Sequence, residues 1–251
     1  ELPSERSLKL LAPEKTKEGI LTPMNIMSNE FRQAKSLKYG KFLPAGQTTQ
    51  MIVGASPESD GQIVRLTQSL YKKYSLKRVY YSSYIPTNDK NPNLPVKPVG
   101  LLREHRLYQA DWLLRFYGFS ASEILDEDEN LAEEYDPKCG WALKHPEFFP
   151  VEINSAPPET LVRVPGIGFK SAYKIVSARR YHSLYFSDLE KMRVVMKRAK
   201  HFITCNGKFF GIDDDIKIKG LLAIESKNEF ATQLSLFSSP EISASALLGE
   251  L

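Results

Sequence analysis

The run Val164-Pro165-Gly166-Ile167-Gly168 constrains what this chain can fold into more than any other segment. It sits between two stretches with helical spacing. Pro157-Pro158-Glu159-Thr160-Leu161 suits the first turn of a helix, because proline is tolerated there, and Leu161 and Val164 supply its apolar face. From Phe169 to Arg179 the apolar residues Ala172, Ile175 and Val176 recur at helical spacing, while Lys170, Lys174, Arg179 and Arg180 are expected to face outward. Two glycines around one apolar residue predict a tight corner, because glycine adopts backbone conformations that a Cβ disfavours and lets another group approach the main chain. Ile167 is expected to plug the space between the two helices.

The charge pattern gives this corner a chemical direction. Residues 151–210 hold 11 Lys and Arg against 4 Asp and Glu, a net of +7. Residues 1–150 carry a net of +1 and residues 211–251 a net of −4. A local excess of this size is how a phosphate-binding surface looks in sequence; the alternative is a solvated helical face. Amides at the start of the second helix would point at a phosphate, with the helix dipole assisting. The expected site is Pro165, Gly166, Ile167, Gly168, Lys170, Lys174, Arg179 and Arg180, and the expected partner is DNA. Backbone contacts of this kind position a protein without reading bases, so binding should ignore sequence and weaken with salt. An ordinary helical corner is the competing reading.

The region from Asn154 to about Phe202 resembles the helix-hairpin-helix family. The matching residues are Asn154-Ser155-Ala156, Leu161, Pro165-Gly166-Ile167-Gly168, Ala172 and Ile175. A second, degenerate copy follows. Phe186-Ser187-Asp188-Leu189 resembles its opening, and Ala199 and Phe202 its second helix, but its turn reads Arg193-Val194-Val195 with no glycine. That copy is expected to complete the fold. Lys191, Arg193, Lys197, Arg198 and Lys200 would add electrostatic contacts to DNA.

Further upstream, Leu2-Pro3-Ser4 reads as the end of a strand, 7–11 and 16–20 read as helical, and 25–39 is polar with irregular apolar spacing. Thr48–Val53 is a short buried strand ended by Gly54. Ile63, Leu66, Leu70 and Tyr71 mark a helix, and Arg78–Ile85 a second strand, so 48–85 has the length of a βαβ unit. Leu101–Tyr117 is a strong helix, with Leu107, Ala110, Leu113 and Leu114 near one face. Ser120 and Glu123 form a capping-box pattern, 126–136 is acidic, and 141–149 is a further short helix. From Val151 to about Phe202 the pattern is all helical, and 211–251 reads as a polar, flexible tail.

Cys139 and Cys205 make no CxxxCxxC pattern, and an iron–sulfur cluster needs three or four thiolates; no metal ligands are assigned. No apolar run approaches the roughly 18 residues that cross a bilayer. The expectation is a cytoplasmic chain with no membrane partner. In the tail, Gln233-Leu234-Ser235-Leu236-Phe237 matches the pentapeptide with which bacterial polymerases and repair proteins bind the sliding clamp. Leu236 and Phe237 would fill an apolar groove, with Gln233 at its rim and Leu234 alongside. The alternative is docking on the chain's own body.

Longer strings carry a wider resemblance. They are Glu1-Leu2-Pro3-Ser4-Glu5, Leu8-Lys9-Leu10-Leu11-Ala12-Pro13-Glu14-Lys15, Ala45 to Ala55, Leu102-Arg103-Glu104-His105-Arg106-Leu107-Tyr108-Gln109-Ala110-Asp111-Trp112, and Phe202-Ile203-Thr204-Cys205-Asn206-Gly207. Together they resemble a bacterial family of radical SAM proteins assigned to DNA modification or repair, over residues 1 to about 210. The resemblance implies α/β plus all-α architecture: the C-terminal part of a partial (β/α)6 barrel in 1–100, a helical connector in 101–150, a helix-hairpin-helix domain in 151–210, and the tail.

It also implies S-adenosylmethionine and a 4Fe-4S cluster for the full-length family protein. The half of the barrel with the CxxxCxxC loop is not among these residues, so the expectation is the DNA-binding C-terminal portion of a larger enzyme. Strand ends in such barrels hold the cofactor. Here Glu1, Ser4, Gly54, Glu58 and Ser83 stand near those positions, either as cofactor contacts or as loop caps. His105, Asp111 and Trp112 either line a substrate channel or form an ordinary amphipathic face. The competing function is a non-catalytic DNA-binding adaptor tethered to the clamp. A helix-hairpin-helix glycosylase is a third reading: Asp188 stands at the spacing of the catalytic aspartate, but Leu189-Glu190-Lys191 follows it where that class has Thr-His.

Overall fold

A computed structural model describes residues 2–36, 42–86, 91–212, 214 and 216–223. The fold is mixed α/β, and the chain divides into two compact units, Glu1–Glu133 and Glu134–Leu251. The stretch 101–150, expected as a connector, is shared between them. Among the described residues no helix is long and apolar enough to cross a membrane.

The first unit is built on a strand–helix–strand element. β1 (Thr48–Val53) and β2 (Arg78–Ser83) pair in parallel, with Thr48 opposite Arg78 and Val53 opposite Ser83. α3 (Asp60–Tyr74) connects them. It opens on a capping box between Ser59 and Gln62 and ends at Ser75, whose φ of 52° is left-handed. Met51, Val53, Val79 and Tyr81 are buried, as are Ile63, Val64 and Leu70 of α3. α4 (Leu101–Phe116) packs on β2 and α3 and buries Leu107, Ala110 and Leu113. α5 (Ala121–Ile124) follows, opened by the Ser120–Glu123 capping box that its sequence predicts.

Strand edges with unpaired amides invite pairing with other chains. Here side chains close the outer edge of β2. The Tyr71 hydroxyl accepts the Val79 N–H at 3.0 Å. The Tyr108 hydroxyl accepts the Tyr81 N–H and donates to the Tyr81 carbonyl, both at 3.0 Å. Glu104 accepts the Ser83 N–H at 2.7 Å.

Two expectations are corrected in this unit. Ser4 does not end a strand. It caps α1 (Glu5–Leu11), its side chain accepting the Ser7 amide at 3.0 Å, which satisfies an N–H that a helix start leaves open. α2 (Lys17–Ser36) runs through the stretch where apolar spacing was irregular, with Pro23 inside it. Gln47 helps to hold it in place, its amide donating to the Met24 and Tyr74 carbonyls at 3.3 and 2.6 Å.

In the second unit, α6 (Pro137–Lys144) starts before the expected Trp141, because Asp136 accepts the Lys138 and Cys139 amides and Pro137 fits the first helical position. A 3₁₀ turn over Pro146–Phe148 follows. The run from Val151 is not wholly helical. β3 (Val151–Glu152) pairs in parallel with β4 (Ile203–Cys205), which pairs antiparallel with β5 (Lys208–Phe209). Asn206 and Gly207, at φ 53° and 71°, make the two-residue turn between β4 and β5. The Glu152 carboxylate accepts the amides of Asn154, Asn206 and Gly207 at 3.1, 3.1 and 3.0 Å, tying the three segments together.

Between β3 and β4 run α7 (Pro158–Leu161), α8 (Phe169–Ala178), α9 (Phe186–Lys191) and α10 (Met196–Ala199). Leu161, Val164, Ile167, Ile175, Leu184 and Leu189 are buried among them. Residues 216–223 are helical and bury Ile218 and Leu222, so this part of the expected tail takes regular structure.

Candidate nucleic-acid interface

α7 and α8 form a helical hairpin whose corner is the Pro-Gly-Ile-Gly run. Val164 receives the Ile167 amide at 3.1 Å, closing the turn. Ile167 is 1% exposed, the plug its position predicts. The two glycines do different work. Gly166 has φ +83°, and a Cβ there would stand 2.5 Å from the Val195 carbonyl oxygen and 3.2 Å from the Ala199 Cβ. Gly168 has φ −85° and ψ 168°, which any residue adopts. The expectation that the corner needs unusual backbone at both glycines therefore holds only at Gly166.

α9 and α10 form a second hairpin. Arg193 stands at its corner with φ +64°, a non-glycine in left-handed backbone. Arg193 is exposed there. The hairpins join through the Val195 amide, which donates to the Gly166 carbonyl at 2.9 Å. The Ser171 hydroxyl of α8 donates to the Met192 carbonyl at 3.1 Å.

Gly168 is the N-cap of α8 and makes no side-chain cap. Among the described residues, no acceptor receives the N–H groups of Gly168, Phe169, Lys170 or Ser171. These are the orphan donors of a helix start, here at the positive end of a ten-residue helix. Lys170 is exposed beside them and Lys174 one turn further on, Arg180 is exposed past the other end of α8, and Pro165 is buried.

Beneath the corner lies a group that sequence reading missed. Lys138 is 9% exposed, and its ammonium donates to the Ile167 carbonyl at 2.6 Å. Burial pushes its pKa down to about 7, against the attraction of Asp136. A lysine three positions before Trp141 carries no sequence signal for this role, because the contact spans 29 residues.

Two basic residues of the expected surface turn inward. Arg179 is half-buried, its guanidinium donating to the carbonyls of Ile153 and Ala156 at 2.9 and 2.6 Å. These bonds tie the C-terminal end of α8 to the segment after β3. Arg198 pairs with Asp136 at 3.0 Å. Lys191, Arg193 and Lys197 are exposed, and Lys200 is partly so. Asp188 caps α9, accepting the Tyr185 amide at 3.0 Å.

At the strand ends of the first unit, Ser4, Ser7, Ser56 and Glu58 form one network. Ser7 and Ser56 donate to the two Glu58 carboxylate oxygens, and Ser4 donates to Ser7 at 3.0 Å. Burial pushes the Glu58 carboxyl up, but the hydroxyls of Ser4, Ser56 and Ser7 outweigh it and hold the group below its ordinary value. The space a Gly54 Cβ would take is filled by Val99. The Ser83 amide is spent on Glu104, and only its buried hydroxyl has no partner. Ser4, Ser7, Ser56 and Glu58 thus satisfy one another, while the Ser83 hydroxyl stays unpartnered. Glu1, Gln233, Leu234, Leu236 and Phe237 lie outside the described residues.

On α4, Asp111 is buried and ion-paired with Arg115 at 2.8 Å, and Tyr71 donates to it. It braces the β2 edge rather than lining a channel. Gln109 and His105 are hydrogen-bonded at 3.1 Å, and Trp112 is 53% exposed and stacks on Phe116. Among the described residues no group of three or more His, Cys, Asp or Glu could hold a metal. Comparison with family models, curated proteins and solved structures finds no match for this chain.

Proposed function

We propose that the second unit binds DNA through the phosphate backbone, with the first helical hairpin as the anchor, as a helix-hairpin-helix module of an enzyme resembling the radical SAM proteins of DNA modification or repair. One observation carries the reading: the first-turn amides of α8 have no acceptor among the described residues and stand beside exposed Lys170 and Lys174, at a corner whose second glycine the backbone does not require. A glycine at an ordinary φ leaves room for a ligand to approach the main chain. The local net charge of +7 suits a polyanion. Arg179 and Arg198 are left out of the interface, because the fold uses them.

A second reading is a non-catalytic DNA-binding adaptor. The Glu58 carboxylate, taken up by Ser7 and Ser56, and the Val99 side chain against Gly54 favour it. Calorimetric titration of the full chain with S-adenosylmethionine bears on the first: uptake supports the enzyme.

The DNA reading is tested by fluorescence anisotropy of the full chain with labelled DNA over a salt series. Binding should ignore sequence. Lys170→Ala and Lys174→Ala should each reduce the salt slope by about one. An unchanged slope in the double variant would sink the hairpin as the anchor.

A further inference from the structure

Phe169 and Tyr173 lie one turn apart on α8, with ring centroids 4.8 Å apart and planes tilted by 57°. They are 47% and 57% exposed, so they pack on each other and turn their outer faces to solvent. Phenylalanine at the first position of a helix serves no capping role, and Ile167 already fills the space between the helices. Lys170 and Lys174 each follow a ring by one position, about 100° round the helix, and both are exposed. α8 contains no acidic residue.

The helix therefore carries an aromatic stripe and a cationic stripe side by side, both starting at the corner. The lysines complement phosphates. An aromatic face beside them complements an unpaired base, because a base inside an intact duplex offers no free π-face. We infer that α8 presents a stacking platform for unpaired bases, so that the DNA held by the hairpin is single-stranded or locally opened. This rests on the DNA-binding reading above and names its substrate class.

The experiment titrates the full chain against a labelled oligothymidylate and against a matched duplex of the same length. The single strand should bind at least about tenfold more tightly, since stacking on one aromatic contributes that much per base. Phe169→Ala/Tyr173→Ala should lose about tenfold or more on the single strand and less than about twofold on the duplex. Phe169→Tyr/Tyr173→Phe should bind like the parent, which keeps the test independent of any loss of fold. The platform is refuted if the parent prefers duplex or binds both alike, if the alanine pair keeps its single-strand affinity, or if it loses both affinities equally. In each of those cases salt-dependent binding leaves the hairpin reading standing. Absence of binding to either DNA overturns that reading, and the platform with it.

Discussion

Alanine at Gly166 and alanine at Gly168 should have different consequences, although the residues are two positions apart. At Gly166 the backbone is left-handed, which costs a non-glycine residue about 1–2 kcal/mol. The new Cβ would also meet the Val195 oxygen at 2.5 Å and the Ala199 amide nitrogen at 3.0 Å, both backbone atoms. Relief requires moving the second hairpin, which the Val195 N–H to Gly166 carbonyl bond holds in place. Overpacking of this kind costs about 1–3 kcal/mol. Together the two effects predict a loss of roughly 2–5 kcal/mol.

At Gly168 the φ of −85° suits alanine. The weaker N-cap costs up to about 1 kcal/mol, and the stiffer unfolded chain returns about 0.4–1 kcal/mol, so the net change is small. The assay is urea unfolding followed by Trp141 fluorescence in a Trp112→Phe background, which isolates the second unit because the chain has two tryptophans. With a urea slope of about 1–3 kcal/mol/M, Gly166→Ala should lower the midpoint by roughly 1–3 M and Gly168→Ala by much less. Gly168→Ala should still weaken DNA binding, since its methyl stands at the start of α8. Equal destabilisation by the two variants would refute the division of labour.

Three further outcomes are expected. Lys138 has a folded pKa of about 7 against an ordinary 10.5, so above pH 7 the unfolded chain holds a proton that the folded chain has released. Stability of the second unit should therefore rise with pH from about 7, by up to about 1.4 kcal/mol per unit, and Lys138→Met should abolish the rise; measurements stop near pH 8.5, because burial raises the Cys139 thiol and its contribution falls at higher pH. Arg179→Met should cost about 1.5–3 kcal/mol in urea unfolding, the worth of hydrogen bonds from a charged group, and leave the salt slope of DNA binding unchanged; a reduced slope would return Arg179 to the interface. Cys139 and Cys205 are 1% and 3% exposed, and burial pushes both thiols up, Cys205 to about 11. A thiol reagent at neutral pH should label neither until denaturant is added, and rapid labelling of the native chain would contradict their burial.

What the sequence determined by itself is local. β1, α3, β2 and α4 were legible because each is long enough to show its period, and the first hairpin because Gly166 occupies a backbone state that few other residues accept. The Asn206-Gly207 turn is equally readable as a hairpin signal. The tertiary structure alone decided the rest. β3 and β4 are two and three residues long and exist because Val151 and Ile203 meet although α7 to α10 and their turns lie between them. No local pattern separates Arg179 from Arg180, yet one bonds backbone carbonyls 23 to 26 residues away and the other faces solvent. Ser4 and Glu58, read from the sequence either as cofactor contacts or as loop caps, are joined through Ser7 only once α1 meets the loop that follows β1. The physical reason is common to all three: a polar group buried on folding must find a partner, and which partner is near enough is set by the packing of distant segments, not by its neighbours in the chain.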